Sequence, residues 1–380
     1  MHRGITGLYS RFATQWQRTL SRKSDRAKAH DLNKPITLTV VDQSPLRRGG
    51  NAAEALRETV ALAQAAEGAG FDRYWVAEHH NTGAFAGTSP EILIGQIASR
   101  TATIRVGSGG VMLSHYSALK VAEQFSVLNS FYPGRIDLGI GRAPGSDRLT
   151  SMALSDPRPE MDIEKFPNQV VDLLGYLHGL MQPDHPFGAI RPHPGPLPEA
   201  KPEVWLLGSS DFSARLAAML GLPFAFAEFF GLTGDAGPKV AKLYRDQFKP
   251  SRFLSEPKMN VTLQVTCAPT NEEAVFIAAS RQLTRANRFL GLGLPPGTVP
   301  PQEALAYPLT PEQREYVQGL SHGCVDGDPD TVREGILQAV EDFGTPDIGI
   351  VTNCYRFEDR VRSYQMVAKA MGAKAVPSSR

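Results

Sequence analysis

From residue 35 onward the chain repeats one unit: a short apolar run, then a stretch with helical spacing. The apolar runs are 36–43, 72–79, 104–112, 136–140, 204–207, 224–227, 259–267 and 347–352. Helical patterns follow them, as at 52–70, where Leu56, Val60, Ala63 and Glu67 share a spacing that stops at Gly70. Residues 89–100 open with Ser89-Pro90-Glu91, an N-cap followed by proline at the first helical position. The runs lack strict polar alternation, as expected of strands buried on both faces. Regular β–α alternation implies a parallel sheet, either open and doubly wound or closed into a barrel. Eight runs favour closure, so the expected fold class is α/β, a (β/α)8 TIM barrel. Insertions are expected near 143–165, 183–202 and 289–325. The last two centre on Pro/Gly-rich stretches at 183–202 and 291–311, too long for ordinary connections.

Composition narrows the function classes. A formal net charge of +1 gives no global footprint for nucleic acid. No run of about 18 apolar residues marks a membrane span. The cysteines Cys267, Cys324 and Cys354 are scattered and odd in number, which fits a reducing compartment better than a disulfide framework or a zinc site. Residues 1–34 differ from the rest. Arg11, Arg18 and Arg22 share one helical face, Phe12, Trp16 and Leu20 another, and no acid precedes Asp25. This segment reads as a basic amphipathic leader or a disordered arm, and 35–375 as one barrel domain. A presequence would place the chain in the mitochondrial matrix; otherwise the cytoplasm is expected.

In such a barrel, function collects at the C-terminal ends of the strands. The first expected strand ends in Asp42-Gln43-Ser44, the second in Glu78-His79-His80-Asn81, and the third in Ser108-Gly109-Gly110. The fourth ends in Gly141-Arg142, the fifth in Gly208-Ser209-Ser210, the sixth in Glu228 and the eighth in Thr352-Asn353. Small residues, donors and two histidines suit a planar ligand that carries phosphate. Ser209 and Ser210 stand between an apolar strand and a helix, where free backbone N–H groups and hydroxyls make an anion site or a plain helix cap. Arg142 adds a positive charge, or is a surface residue. Gly109-Gly110 is a bulge, or a place where a flat ring meets bare backbone. Gly139 to Gly145 imitates a dinucleotide fingerprint, but its spacing is GxGxxxG and a loop rather than a helix is expected next, so that reading is rejected. On a strand, Glu78 and His80 share one face and His79 takes the other. The three could be metal ligands without a third cluster to complete them, a satisfied structural pair, or a functional imidazole at a strand exit.

WVAEHHNTG, IRVGSGGVMLSHYSALKVAEQF, PGRIDLGIGRAPG and VWLLGSSDFSARLAAMLGLPFAFA occur in the order found in the luciferase-like monooxygenases. The chain resembles this family from about residue 37 to 372, and its single-chain group 1 oxidoreductases most closely. The resemblance implies reduced FMN as cofactor at the barrel mouth, with O2 and a small organic substrate. It implies a separate NAD(P)H:flavin reductase and a homodimer. His79 matches the histidine beside the flavin that acts in proton transfer. Gly109-Gly110 matches a cis pair against the flavin ring, and Arg142, Ser209, Ser210 and Ser213 match phosphate-binding positions. Ser209 stands where bacterial luciferase has Glu, and Gly141 where it has a reactive Cys; both departures argue against light emission. Glu228 stands where relatives often carry His. A flavin or deazaflavin dehydrogenase, a non-catalytic flavin-binding protein and a phosphate-binding barrel lyase or isomerase are the other readings. Residues 78 and 80 are expected to fix the strand end that carries His79, and 291–311 to cover the mouth.

Overall fold

The computed structural model describes residues 35–143, 145–156, 163–197, 200–231 and 233–375. The leader expected at 1–34 lies outside them.

Nine strands form one sheet: β1 (Thr37–Asp42), β2 (Arg73–Val76), β3 (Arg105–Met112), β4 (Ile136–Gly141), β5 (Glu203–Gly208), β6 (Phe224–Ala227), β7 (Met259–Cys267), β8 (Cys324–Gly327) and β9 (Asp347–Val351). All pairings are parallel. Strands β1 to β7 run in sequence, and β9 pairs with both β7 and β1, which closes an eight-stranded barrel. These eight are the strands expected from the sequence. The helices are α1 (Ala52–Ala69), α2 (Pro90–Ala98), α3 (Ala118–Phe131), α4 (Arg148–Ser155), α5 (Phe166–His178), α6 (Asp211–Leu220), α7 (Ala236–Gln247), α8 (Asn271–Leu290), α9 (Pro301–Ala306), α10 (Pro311–Gly319), α11 (Pro329–Phe343) and α12 (Phe357–Ala370).

Three local expectations differ from what is observed. β8 was not legible, because CVDG is short and carries an acid. It forms because Arg281 grips Asp326 with two nitrogens, at 3.0 and 2.6 Å, and Gln264 N–H bonds Gly323 O at 2.8 Å. The region 289–325 holds helices α9 and α10, the second started by a reciprocal cap between Thr310 and Gln313. A helix also follows the glycine-rich fourth exit: α4 begins where the Asp147 side chain accepts from Thr150 N–H at 2.9 Å. The closed barrel excludes the open dinucleotide fold all the same.

Alternation along each strand sorts two interiors. Leu38, Val40, Val106, Leu138, Val261, Leu263, Ile348 and Ile350 pack outward against the helices. Val41, Trp75, Trp205, Ala225 and Val351 point inward and fill the barrel. The two indoles meet edge to face with centroids 5.2 Å apart, a contact worth about 0.5–1.5 kcal/mol beyond burial. Beneath this layer, toward the N-terminal strand ends, lies a charged floor. Trp75 Nε1 donates to Asp137 at 2.9 Å and Trp205 Nε1 to Glu203 at 3.1 Å. Arg73 pairs with Asp347 at 2.9 Å, and Arg105 with Asp137 at 3.0 Å.

At the other end, hydrogen bonding leaves the sheet early. β2 stops at Val76 rather than His79: Ala77 N–H still bonds Asp42 O of β1 at 2.9 Å, but His79 N–H bonds Gly87 O at 2.9 Å and His80 N–H bonds Gly145 O at 3.4 Å. Ser44 and Asn81, after β1 and β2, hold φ of 49° and 53°. Asp42 is not a mouth residue. It points outward to pair with buried Arg360 of α12, and its carboxyl also accepts from Tyr74 OH and Ser44 N–H at 2.5 and 2.7 Å. Burial would raise its pKa; Arg360 and these bonds overcome that and leave it lowered.

Candidate active site

The exits of β2, β3 and β4 converge on Met112. Its N–H donates to Glu78 Oε2 at 2.8 Å. A Cβ on Gly141 would stand 2.9 Å from its methyl, and one on Gly145 3.2 Å from its Cγ. The peptide between Gly109 and Gly110 is cis, and the β3–β4 register shifts between Gly109 and Val111. Gly139 needs its missing side chain for the same close approach: a Cβ there would lie 2.2 Å from Ser108 O. The fingerprint-like glycines therefore serve strand contact rather than a dinucleotide.

Glu78 and His80 form a support. Glu78 is 1% exposed. Its Oε1 accepts from Tyr116 OH at 2.7 Å and stands 2.7 Å from His80 Nε2. Burial, then the Glu78 charge, push the Tyr116 phenol up. Among the described residues no group of three or more His, Cys, Asp or Glu could hold a metal ion.

His79 is turned from this pair and lies against Phe85, ring centroids 4.8 Å apart. Its Nδ1 is buried with no partner among the described residues. Burial first, then the Arg288 charge, lower its pKa to about 4, against a smaller raising effect of Glu78. At neutral pH it is an uncharged imidazole, able to give one hydrogen bond and accept another.

The β5 exit leads to the N-terminus of α6. Ser210 is the N-cap, but its side chain makes no capping bond. Among the described residues, Ser209, Ser210 and Ser213 make no side-chain hydrogen bond, so plain capping does not account for them. Ser213 is buried, and a Cβ on Gly208 would stand 2.6 Å from its Oγ, which sets that hydroxyl against the end of β5. Arg142 reaches across from β4. Its guanidinium stacks over Phe212 at 3.9 Å and has no carboxylate partner among the described residues. Free N–H groups at a helix start, three hydroxyls and a stacked guanidinium are a donor set for phosphate. At Gly109 and Gly110 the missing side chains admit Trp75 and the β4 backbone: added Cβ atoms would stand 3.1 Å from Trp75 Cβ and 2.7 Å from Gly139 O.

The remaining exits complete the rim. Asn353 Nδ2 donates to Gln43 Oε1 at 2.8 Å, joining the ends of β9 and β1. Glu228 is buried, accepts from Thr233 Oγ1 at 2.8 Å and lies 3.6 Å from His322 Nδ1; burial raises its pKa. The insertion after α8 is pinned to the β1–α1 loop by bonds between Thr298 and both Leu46 and Arg48, at 2.8 and 2.9 Å. Met112, Tyr116, Phe85, Phe212 and Arg288 were not singled out in the sequence. Their side-chain types carry no signal of their own; only the fold brings them here.

The chain matches the family model for luciferase-like monooxygenase over residues 36–345. It is 40% identical over 338 residues to a luciferase-like monooxygenase of Escherichia coli K12, covering 88% of this chain and 96% of that one. It is 35% identical over 336 residues to an N-acetyl-S-alkylcysteine monooxygenase of Bacillus subtilis 168, covering 88% and 98%. The crystal structure of apo-MsnO8 superposes with a TM-score of 0.80 at 35% identity, over 90% of this chain and all (100%) of that one.

Proposed function

The chain belongs to the luciferase-like monooxygenase family, and from that premise we propose that it is an FMN-dependent monooxygenase that takes its flavin reduced. It transfers one oxygen atom of O2 to a small organic substrate, and the other leaves as water. Bound reduced FMN supplies the two electrons and the position at which O2 is activated. The observation that best supports this reading is Arg142 stacked on Phe212 beside the uncapped start of α6.

In this reading Arg142, Ser209, Ser210 and Ser213 hold the phosphate. Gly109 and Gly110 give the ring a face without side chains. His79, neutral at working pH, hydrogen-bonds at the reacting edge through its buried Nδ1, while Glu78 and His80 fix the backbone that carries it. Phe85 and the 291–311 segment limit water at the mouth, which keeps reduced flavin from being oxidised without product. A separate NAD(P)H:flavin reductase supplies the reduced cofactor. A homodimer is supported by exposed Ile92, Val127 and Phe131 on α2 and α3, helices bridged by Gln124 and Glu91 at 3.3 Å.

N-acetyl-S-alkylcysteines, named for the Bacillus subtilis relative, are the first substrates to try. With reduced FMN and 18O2, one labelled oxygen is expected in the product. His79→Ala should still bind FMN and consume O2 while losing coupled product. Direct anaerobic reduction of bound flavin by substrate would replace this reading with the dehydrogenase one.

A further inference from the structure

A cleft of about 690 Å³ opens at the N-terminal strand ends, opposite the candidate active site. In (β/α)8 barrels this end is ordinarily the one that carries stability rather than function. Five cations line it: Arg73, Arg105, Lys201, Arg252 and Lys258. Glu203 is the one acid in the wall among the described residues, and it takes Lys258 at 2.5 Å. Beneath the wall, Asp347 and Asp137 take Arg73 and Arg105. Three acids thus answer three of the five cations. Lys201 and Arg252 remain, both exposed and without an ion pair among the described residues. The rest of the wall is apolar, with Leu180, Pro223 and Phe253, and the His178 ring lies on Phe253 with centroids 4.7 Å apart.

We propose that this cleft binds a small organic phosphate, with its anionic head between Lys201 and Arg252 and its apolar or aromatic body against Phe253 and Leu180. Two uncompensated cations match a dianion. The volume falls within the roughly 300–1,000 Å³ usual for small-molecule sites. The surrounding ion pairs are already satisfied, so they hold the walls without competing for the ligand. His178 reports on the site: burial, then the Lys201 and Arg252 charges, hold its imidazole at about 4. A bound dianion opposes those two charges and moves His178 upward. The site is independent of the flavin reading, since it shares no residue with the mouth.

The test uses the full chain with phenyl phosphate and inorganic phosphate at constant ionic strength. Calorimetry and the His178 ring resonances are followed together. One-site saturation is expected, tighter for phenyl phosphate, with an upward shift of the His178 titration. The K201E/R252E double variant should raise the Kd at least about ten-fold, a loss of about 1.4 kcal/mol, and leave FMN affinity unchanged. Both side chains are exposed, so the variant keeps its fold, checked by its unfolding midpoint. A response linear in phosphate, an unaltered Kd in the double variant, or a response confined to His79 and abolished by Arg142→Ala would overturn the proposal.

Discussion

Glu78 accepts three hydrogen bonds, from Met112 N–H, Tyr116 OH and His80, and ties the ends of β2 and β3 together. Truncation to Ala leaves all three partners without their acceptor. A hydrogen bond to a charged group is worth about 1.5–3 kcal/mol, but Tyr116 and His80 are half-buried and recover part of this from water. The expected net loss is about 3–5 kcal/mol. Unfolding entropy of about 2.1 cal/mol/K per residue turns this into a fall in Tm of roughly 4–7 °C for a barrel of this size. Glu78→Gln should behave otherwise. Its carbonyl can take the Met112 N–H, while its amide gives one hydrogen to Tyr116 and one to His80 Nε2, provided His80 moves its proton to Nδ1. Every partner is then satisfied, and the cost should stay below about 1 kcal/mol. Urea unfolding of both variants and 15N shifts of His80 check this. If Gln destabilises as much as Ala, or if His80 keeps its tautomer in a stable Gln variant, the hydrogen-bond account of this support is wrong and the charge itself matters.

Three further outcomes are expected. Arg142→Ala should weaken FMN binding about 10–100-fold and leave riboflavin binding unchanged, measured by flavin fluorescence; equal losses for both would move Arg142 off the phosphate. His79 sits at about 4 in the folded chain against about 6.5 unfolded. The unfolded chain therefore takes up the proton first, and about 3 kcal/mol of stability is lost as pH falls from 6.5 to 4. His79→Gln should remove that slope, and urea midpoints at pH 7 and 4.5 would show a parallel dependence if burial were not the cause. Gly139→Ala puts a methyl 2.2 Å from a backbone oxygen and should cost at least about 3 kcal/mol, whereas Gly141→Ala meets only the Met112 methyl at 2.9 Å and should cost about 1; similar thermal shifts for the two would contradict the close strand approach.

The barrel was legible because eight apolar runs at regular spacing admit few other closures. What escaped were elements held by tertiary contact rather than by pattern. β8 depends on Arg281, which comes from α8, 45 residues before its partner Asp326. α4 and α9 are short and sit among proline and glycine, where propensity speaks against helix. The strand ends singled out do stand at one end of a closed parallel barrel, but not every side chain there faces the mouth: Ser44 Oγ meets Thr59 of α1 at 2.8 Å, and Asp42 is the clearest case. Its carboxylate faces the helices because one residue along a strand reverses the face. The state of His79 was not legible either. A pKa depends on what covers the ring and which charges stand nearby; Phe85 arrives from the loop after β2 and Arg288 from the last turn of α8.

Trp75 and Trp205 send their N–H groups down into Asp137 and Glu203 and show only carbon to the space above. The inner layer they build with Val41, Ala225 and Val351 is apolar. It is a plug to matter rather than to fields: those five side chains offer water and protons no hydrogen-bonded path, while a low-dielectric layer transmits electrostatic effects instead of screening them. The two ends of this barrel therefore share one set of strands without sharing a solvent path through that layer.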